Sequence, residues 1–478
     1  MLHLKDEIIR LGAISSQLEI PESVWREYLN KVLDYLNNFI TSLEDIKAFQ
    51  NNKPNRRSLS IENEKKSLDQ IISLYQKEVV ENGIVAASGG HLGYIPGGGI
   101  VASSMADLIA AVTNPFAGIY YASPGAVIIE NEVLSWLKKI FSFPETAIGN
   151  LASGGSVSTL IALTAARDKY QIKNEIVSRS VVYLSEHVHH SIQKALRIIG
   201  LEDVIIRYVT LDNEHRIKAD ILHEMIISDK SRGLNPFLVI ATAGTTDTGV
   251  IDPLEKIADI SSQFKLWFHV DAAYGGFFIL TSKKILFNGI EKADSLVVDP
   301  HKGMFLPYGL GAVLIKDRGA VFKSNQYQAN YMQDALEDEL IFSPANLSPE
   351  LTKHFRGLRL WLPLQLHGLE PFIACLEEKL LLITYFREKL KEMGFMVGPE
   401  PDLSVSYFWY PFEENCDEKN KRLMDAIHDD GKVFLSSSVI GGRFVIRIAI
   451  LAFRTKLSTV DKAVKMIADC LEKVKSNC

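Results

Sequence analysis

The chain has 478 residues, 47% hydrophobic and 23% charged, an ordinary globular profile with ample length to bury a core and a prior of two or three domains. A formal net charge of −6 leaves no broad basic field, which argues against nucleic acid or an anionic membrane as partner and for a small molecule. Four cysteines, Cys375, Cys416, Cys470 and Cys478, have neither metal-ligand spacing nor the density of a disulfide scaffold, so no metal is expected and a reducing, cytoplasmic setting fits.

In chain order, residues 1–81 are rich in Leu, Ile, Lys and Glu at helical spacing and read as an N-terminal arm, with Lys5, Asp6, Glu7 and Arg10 interrupting any secretory signal. The apolar stretch 99–112 is broken by Asp107 and falls short of a membrane span. Through 82–368, short apolar runs recur at 181–184, 237–241, 266–270, 295–298 and 312–315. Helical patterns lie between several of them, one opened by Asp252 as N-cap and Pro253 at the first helical position. That alternation predicts an α/β domain with a mainly parallel central sheet and helices on both faces. From 369 a long helical pattern runs to Met393 and closes at Gly394; alternating segments at 404–409 and 444–450 and a last helix over 458–474 predict a small α+β domain, 369–478.

Ligands of an open α/β sheet gather beyond the carboxyl ends of the strands, so the polar residues directly after each run are the candidates. They include His187, His189 and His190, then Thr242 to Thr246, then Asp271 to Gly276, then Asp299-Pro300-His301-Lys302. A lysine after a strand is ordinarily a solvated surface residue, and a strand-end aspartate is commonly a cap or turn former. Together, however, an amine for a Schiff base and a carboxylate that keeps a ring nitrogen protonated are what a pyridine-ring cofactor needs. Ser153-Gly154-Gly155-Ser156-Val157-Ser158 before an Ala/Leu-rich helix offers backbone N–H donors to a phosphate, although such a stretch is more often a plain turn with an N-cap. No dinucleotide fingerprint follows any strand. One imidazole of the 187–190 cluster can lie over a cofactor ring; a surface cluster or metal site is the alternative, but no partner at convincing ligand spacing accompanies it.

These residues, with His91-Leu92-Gly93-Tyr94-Ile95-Pro96-Gly97-Gly98, Ser123-Pro124 and Ala241-Thr242-Ala243-Gly244-Thr245-Thr246, resemble the group II pyridoxal-phosphate (PLP) decarboxylases, which include glutamate and aromatic amino acid decarboxylases. The resemblance runs from about 68 to 451 and implies the aspartate-aminotransferase fold (fold type I), a homodimer with active sites at the interface, and PLP as cofactor. It further implies that Lys302 is the Schiff-base lysine, Asp271 pairs with the pyridinium nitrogen and His189 stacks on the ring. Ser156, Val157 and Ser158 would hold the phosphate with Asp299 and His301, while Thr246 and Ala273 would contact the ring region. Asp299 stands where some members have Asn, and a carboxylate beside a phosphate is unfavourable unless it faces away or carries a proton.

The implied reaction is decarboxylation of an L-amino acid to its amine, with an aldehyde synthase or aminotransferase on the same fold as the alternative and a pseudoenzyme as the remaining one. A proton must return to Cα, and the loop that carries a donor tyrosine in many members corresponds to 322–346, which holds Tyr327 and Tyr331. Tyr94 is a candidate substrate contact and Arg447 a candidate carboxylate partner, as are Arg356 and Arg359.

Overall fold

A computed structural model describes residues 2–61, 63–325 and 342–476. Its central feature is a seven-stranded sheet: β1 (Ile148–Ala152), β2 (Ser180–Leu184), β3 (Ile205–Tyr208), β4 (Asn235–Thr242), β5 (Trp267–Asp271), β6 (Ser295–Val298) and β7 (Gly311–Ile315). In space the order is β1-β7-β6-β5-β4-β2-β3, and only the pairings made by β7 are antiparallel.

The strand sequences explain the central position. β5 reads Trp-Phe-His-Val-Asp and is buried at every residue, as expected of a parallel strand covered on both faces. Successive side chains point to opposite faces. Phe268 and Val270 accordingly join one core cluster with Leu296 and Val298, whereas Trp267 joins the other with Val297 and Val313. Register then sets the site: Thr242 lies opposite Asp271, Asp271 opposite Val297, and Ala152 opposite Gly311. The segments beginning at Ser153, Ala243, Ala272 and Asp299 therefore leave one edge of the sheet together.

Two strands escape the apolar-run pattern. β1 contains Gly149 and Asn150, and the glycine is required there because a Cβ would stand 2.7 Å from the Val313 carbonyl oxygen. β3 is an edge strand, half-buried, with Arg207 paired to Asp229 at 2.9 Å. The expected cap at Asp252 is a correction. The helix Leu254–Phe264 has Pro253 at its N-cap position; the Asp252 carboxylate instead accepts the backbone N–H groups of Ile217 at 2.9 Å and Thr242 at 2.8 Å. Burial wins over these bonds and pushes its pKa up to about 6.

Beyond the helix Glu370–Glu392 a four-stranded antiparallel sheet forms from β8 (Met396–Val397), β9 (Val405–Trp409), β10 (Ser436–Ile440) and β11 (Arg443–Ala449), ordered β8-β9-β11-β10. Its core cluster gathers Phe386, Phe408, Leu423, Ile446 and Ile467 from this sheet and three helices. At the other end, the helix Glu22–Ser42 buries no residue, and Leu4, Ile8, Leu11, Trp25, Leu33 and Leu36 stay exposed. Among the described residues, no helix is long and apolar enough to cross a membrane, and no group of His, Cys, Asp and Glu is arranged to hold a metal ion.

Candidate active site

At the carboxyl edge of the large sheet lies a cavity of about 300 Å³ lined by Lys302, Asp271, His189, Thr246, Ala273 and Asp299, together with Ser156, Val157, His187 and His301. Lys302 sits in the short helical turn Pro300–Gly303 that follows β6, and its Nζ is 3.1 Å from Asp299 Oδ2. Asp271 ends β5; its Oδ1 accepts the Ala273 N–H at 3.1 Å, and its Oδ2 has no hydrogen-bond partner among the described residues. His189 is oriented by Ser191, whose Oγ lies 2.8 Å and whose N–H lies 3.2 Å from Nδ1. Burial holds the His189 imidazole below its ordinary pKa, against the opposing pull of the Asp271 carboxylate. A neutral, flat ring fixed at one nitrogen is suited to stacking.

The opposite wall is a cradle for an anion. The helix Gly155–Lys169 starts at the cavity, and the first-turn N–H groups of an α-helix have no intrahelical partner. Here Val157 and Ser158 already donate to the Gly154 carbonyl at 3.1 Å each, which leaves Gly155 and Ser156 as the free donors. Ser158 does not line the cavity; it is fully buried with an unpartnered Oγ. Close approach makes the wall glycine-dependent. A Cβ on Gly155 would stand 2.9 Å from Asp299 Oδ2, and one on Gly311 would stand 2.6 Å from the Gly154 carbonyl carbon. Asp299 thus lies beneath the loop, with Oδ2 turned to Lys302 and Oδ1 buried without a partner. His301 donates from Nδ1 to the Leu310 carbonyl at 2.7 Å, and burial keeps its imidazole below the ordinary pKa.

The remaining candidates fall elsewhere. Tyr94 is exposed, its ring against Phe434 at 5.5 Å and His91 at 6.3 Å. Arg447 is buried: Nε donates to the Thr246 carbonyl at 2.6 Å, and Nη1 to the Gly93 carbonyl at 2.7 Å and to Ser436 Oγ. Arg356 pairs with Glu350 and Arg359 with Asp107. None of these arginines lines the cavity. Tyr327 and Tyr331 lie outside the described residues. His215 and Tyr407, which stand behind His187, were not singled out in the sequence; only the turn-forming Asp212-Asn213 marks that stretch.

An amine, a strand-end carboxylate, a ring-stacking imidazole and unspent helix-terminal N–H groups match the four demands of PLP: a Schiff-base partner, a pyridinium partner, a face and a phosphate site. The fold and cavity thereby define a PLP enzyme of the aspartate-aminotransferase type. Comparison with known proteins narrows the class. Residues 51–411 match the model of the pyridoxal-dependent decarboxylase conserved domain. An aromatic-L-amino-acid decarboxylase of Bacillus atrophaeus is 33% identical over 375 residues, covering 76% of this chain and 77% of that protein. Tyrosine decarboxylase 2 of Narcissus pseudonarcissus is 29% identical, covering 93% of each. The solved structure of Oryza sativa TDC with PLP and tryptamine shares the fold, with a TM-score of 0.88 at 24% identity over 95% of this chain and 99% of that one. The chain belongs to the pyridoxal-dependent decarboxylase family and is a PLP-dependent carboxy-lyase of amino acids.

Proposed function

We propose that the substrate is an aromatic L-amino acid and that Lys302, Asp271 and His189 do the chemistry of its decarboxylation. The observation that carries this reading is the convergence of the three on one cavity from positions spread over more than a hundred residues of sequence. The substrate class is supported by the named activities of the relatives and by the lining of the cavity. No arginine among the described residues lines it to receive an acidic side chain.

Bound PLP supplies a covalent carbonyl for the substrate amine and a ring that accepts the electron pair released with CO2. Lys302 would hold and release the cofactor through its amine, with Asp299 beside the amine when it is free. Asp271 holds a proton on the ring nitrogen through its free Oδ2. His189 covers one ring face, Thr246 and Ala273 bound the ring, and the N–H groups of Gly155 and Ser156 take the phosphate, with His301 beside them. The enzyme acts as a homodimer, a reading supported by the exposed apolar residues of the N-terminal helices, which a second copy would cover. A cytoplasmic location is supported by three unpaired cysteines, Cys375, Cys416 and Cys470.

The test is an absorbance spectrum of the PLP-loaded protein, then addition of aromatic, acidic and aliphatic amino acid pools with CO2 release and O2 uptake recorded. CO2 release from the aromatic pool without O2 uptake is expected. O2 uptake with ammonia would replace amine formation by aldehyde synthesis, and turnover of only the acidic pool would overturn the substrate class.

A further inference from the structure

Two imidazoles of the cavity are committed at Nδ1, His189 to Ser191 and His301 to Leu310. A third, His187, lines the same cavity and has no hydrogen-bond partner at either ring nitrogen among the described residues. It is half-buried, so water reaches it. Behind it stands His215, the two ring centroids 5.4 Å apart at an interplanar angle of 90°. His215 Nε2 is in turn 2.9 Å from the hydroxyl oxygen of Tyr407, which is buried on β9 of the other sheet.

This line of three rings is held by its backbone. Asp212 Oδ1 accepts the N–H groups of Glu214 and Arg216 at 2.9 Å each, and Arg216 pairs with Asp402 at 2.8 Å. His215 itself is kept at φ +67°, a left-handed conformation that non-glycine residues seldom adopt unless the surroundings fix it. Burial, then His187, lower the His215 pKa, and burial raises that of Tyr407. At neutral pH both groups are therefore neutral, joined by one hydrogen bond between the Tyr407 hydroxyl and His215 Nε2.

We propose that His187 returns the proton to the substrate Cα after CO2 leaves, and that His215 and Tyr407 are positioning residues that fix its ring in the cavity wall. The inference rests on the decarboxylation assigned above. The bond from Cα to the carboxylate breaks, its electron pair remains with the substrate, and CO2 departs. An N–H of the His187 imidazolium then breaks, its pair stays on nitrogen, and a C–H bond forms at Cα. The neutral imidazole regains a proton from water at the cavity mouth, so no oxidant or reductant takes part. The charged or titratable groups around the pair are Glu186 on the same loop, Asp212 on the hairpin, Tyr407 on β9 and, across the cavity, His189, Asp271 and Lys302.

The experiment compares wild type, H187Q and Y407F as PLP-loaded enzymes and as cofactor-free proteins with isotope-labelled histidine nitrogens. Because the donor must be protonated, wild-type kcat falls towards alkaline pH. H187Q is expected to lower kcat about 100-fold with KM and the absorbance of lysine-bound cofactor unchanged, and to remove that alkaline limb. Y407F should shift the midpoint of the limb and, in the cofactor-free protein, change the tautomer balance of His215. A kcat for H187Q within about twofold of wild type, with the limb intact, overturns the proposal. If H187Q does not hold cofactor, Y407F decides: an unmoved limb and an unmoved His215 tautomer overturn it. A wild type that decarboxylates some other amino acid class overturns the substrate reading alone, and the same comparison then runs on that substrate.

Discussion

Two interior lysine–carboxylate pairs, Lys353–Glu130 and Lys302–Asp299, have been completed to different degrees. Lys353 is fully buried and donates to Glu130 Oε2 at 2.7 Å, to the Leu151 carbonyl at 3.1 Å and to Asn150 Oδ1 at 3.4 Å, which uses all three of its hydrogens. Glu130 Oε1 in turn accepts the N–H groups of Arg356 and Gly357. Lys302 has one carboxylate partner at 3.1 Å, faces a cavity, and leaves Asp299 Oδ1 buried and unpartnered. A buried ion pair is tolerable when its remaining hydrogen bonds are satisfied, and an unsatisfied one is costly. The first pair ties the start of helix Gly357–His367 to β1. The second keeps an amine available.

The comparison can be broken at either pair. K302A should abolish turnover and the absorbance of lysine-bound cofactor; surviving turnover would remove Lys302 from its assigned role. K353M leaves the Glu130 charge buried and should destabilise by about 3–5 kcal/mol in urea unfolding, with kcat per folded molecule unchanged. A fall in that kcat would mean the two pairs are not separable. D271N keeps shape and removes charge, and steady-state kinetics should show kcat lower by about 10²–10³-fold at saturating PLP. A smaller, distributed effect is expected from pH. His91 and His269 are held near about 4 by burial, so between the unfolded value of about 6.5 and about 4 the unfolded chain binds more protons and stability falls as pH falls. Asp252, raised by burial to about 6, has the opposite sign: its contribution is present at low pH and lost as pH rises through about 6. Two histidines against one carboxylate leave a net acid loss of a few kcal/mol, and urea midpoints for D252N should fall more steeply on acidification than those of wild type.

The sheet was legible where its strands are continuous apolar runs covered on both faces, as at β2, β4, β5 and β6, and the residues that follow those runs located the cavity. What escaped depended on contacts distant in sequence. β1 reads as a loop until Lys353, some two hundred residues on, supplies a partner for Asn150. Asp252 has the sequence of an N-cap, yet its acceptors are used by Thr242 and Ile217, and no local pattern could announce that. His215 stands behind His187 at the cavity wall and meets Tyr407, 192 residues further along the chain. The free N–H groups of the phosphate-facing helix start were also not legible, because Val157 and Ser158 spend theirs on the Gly154 carbonyl, a detail of how this helix begins.

Arg447 carries a further lesson about the direction of the reaction. The group that must leave is a carboxylate, and a guanidinium gripping it would stabilise the reactant more than the neutral CO2 it becomes, deepening the starting well and slowing the step. The cation near this site instead directs Nε and Nη1 to a serine hydroxyl and two backbone carbonyls, one from the loop at Gly93 and one from Thr246 at the cavity itself. The protein can therefore brace its cavity with a positive charge without giving the departing carboxylate a reason to stay.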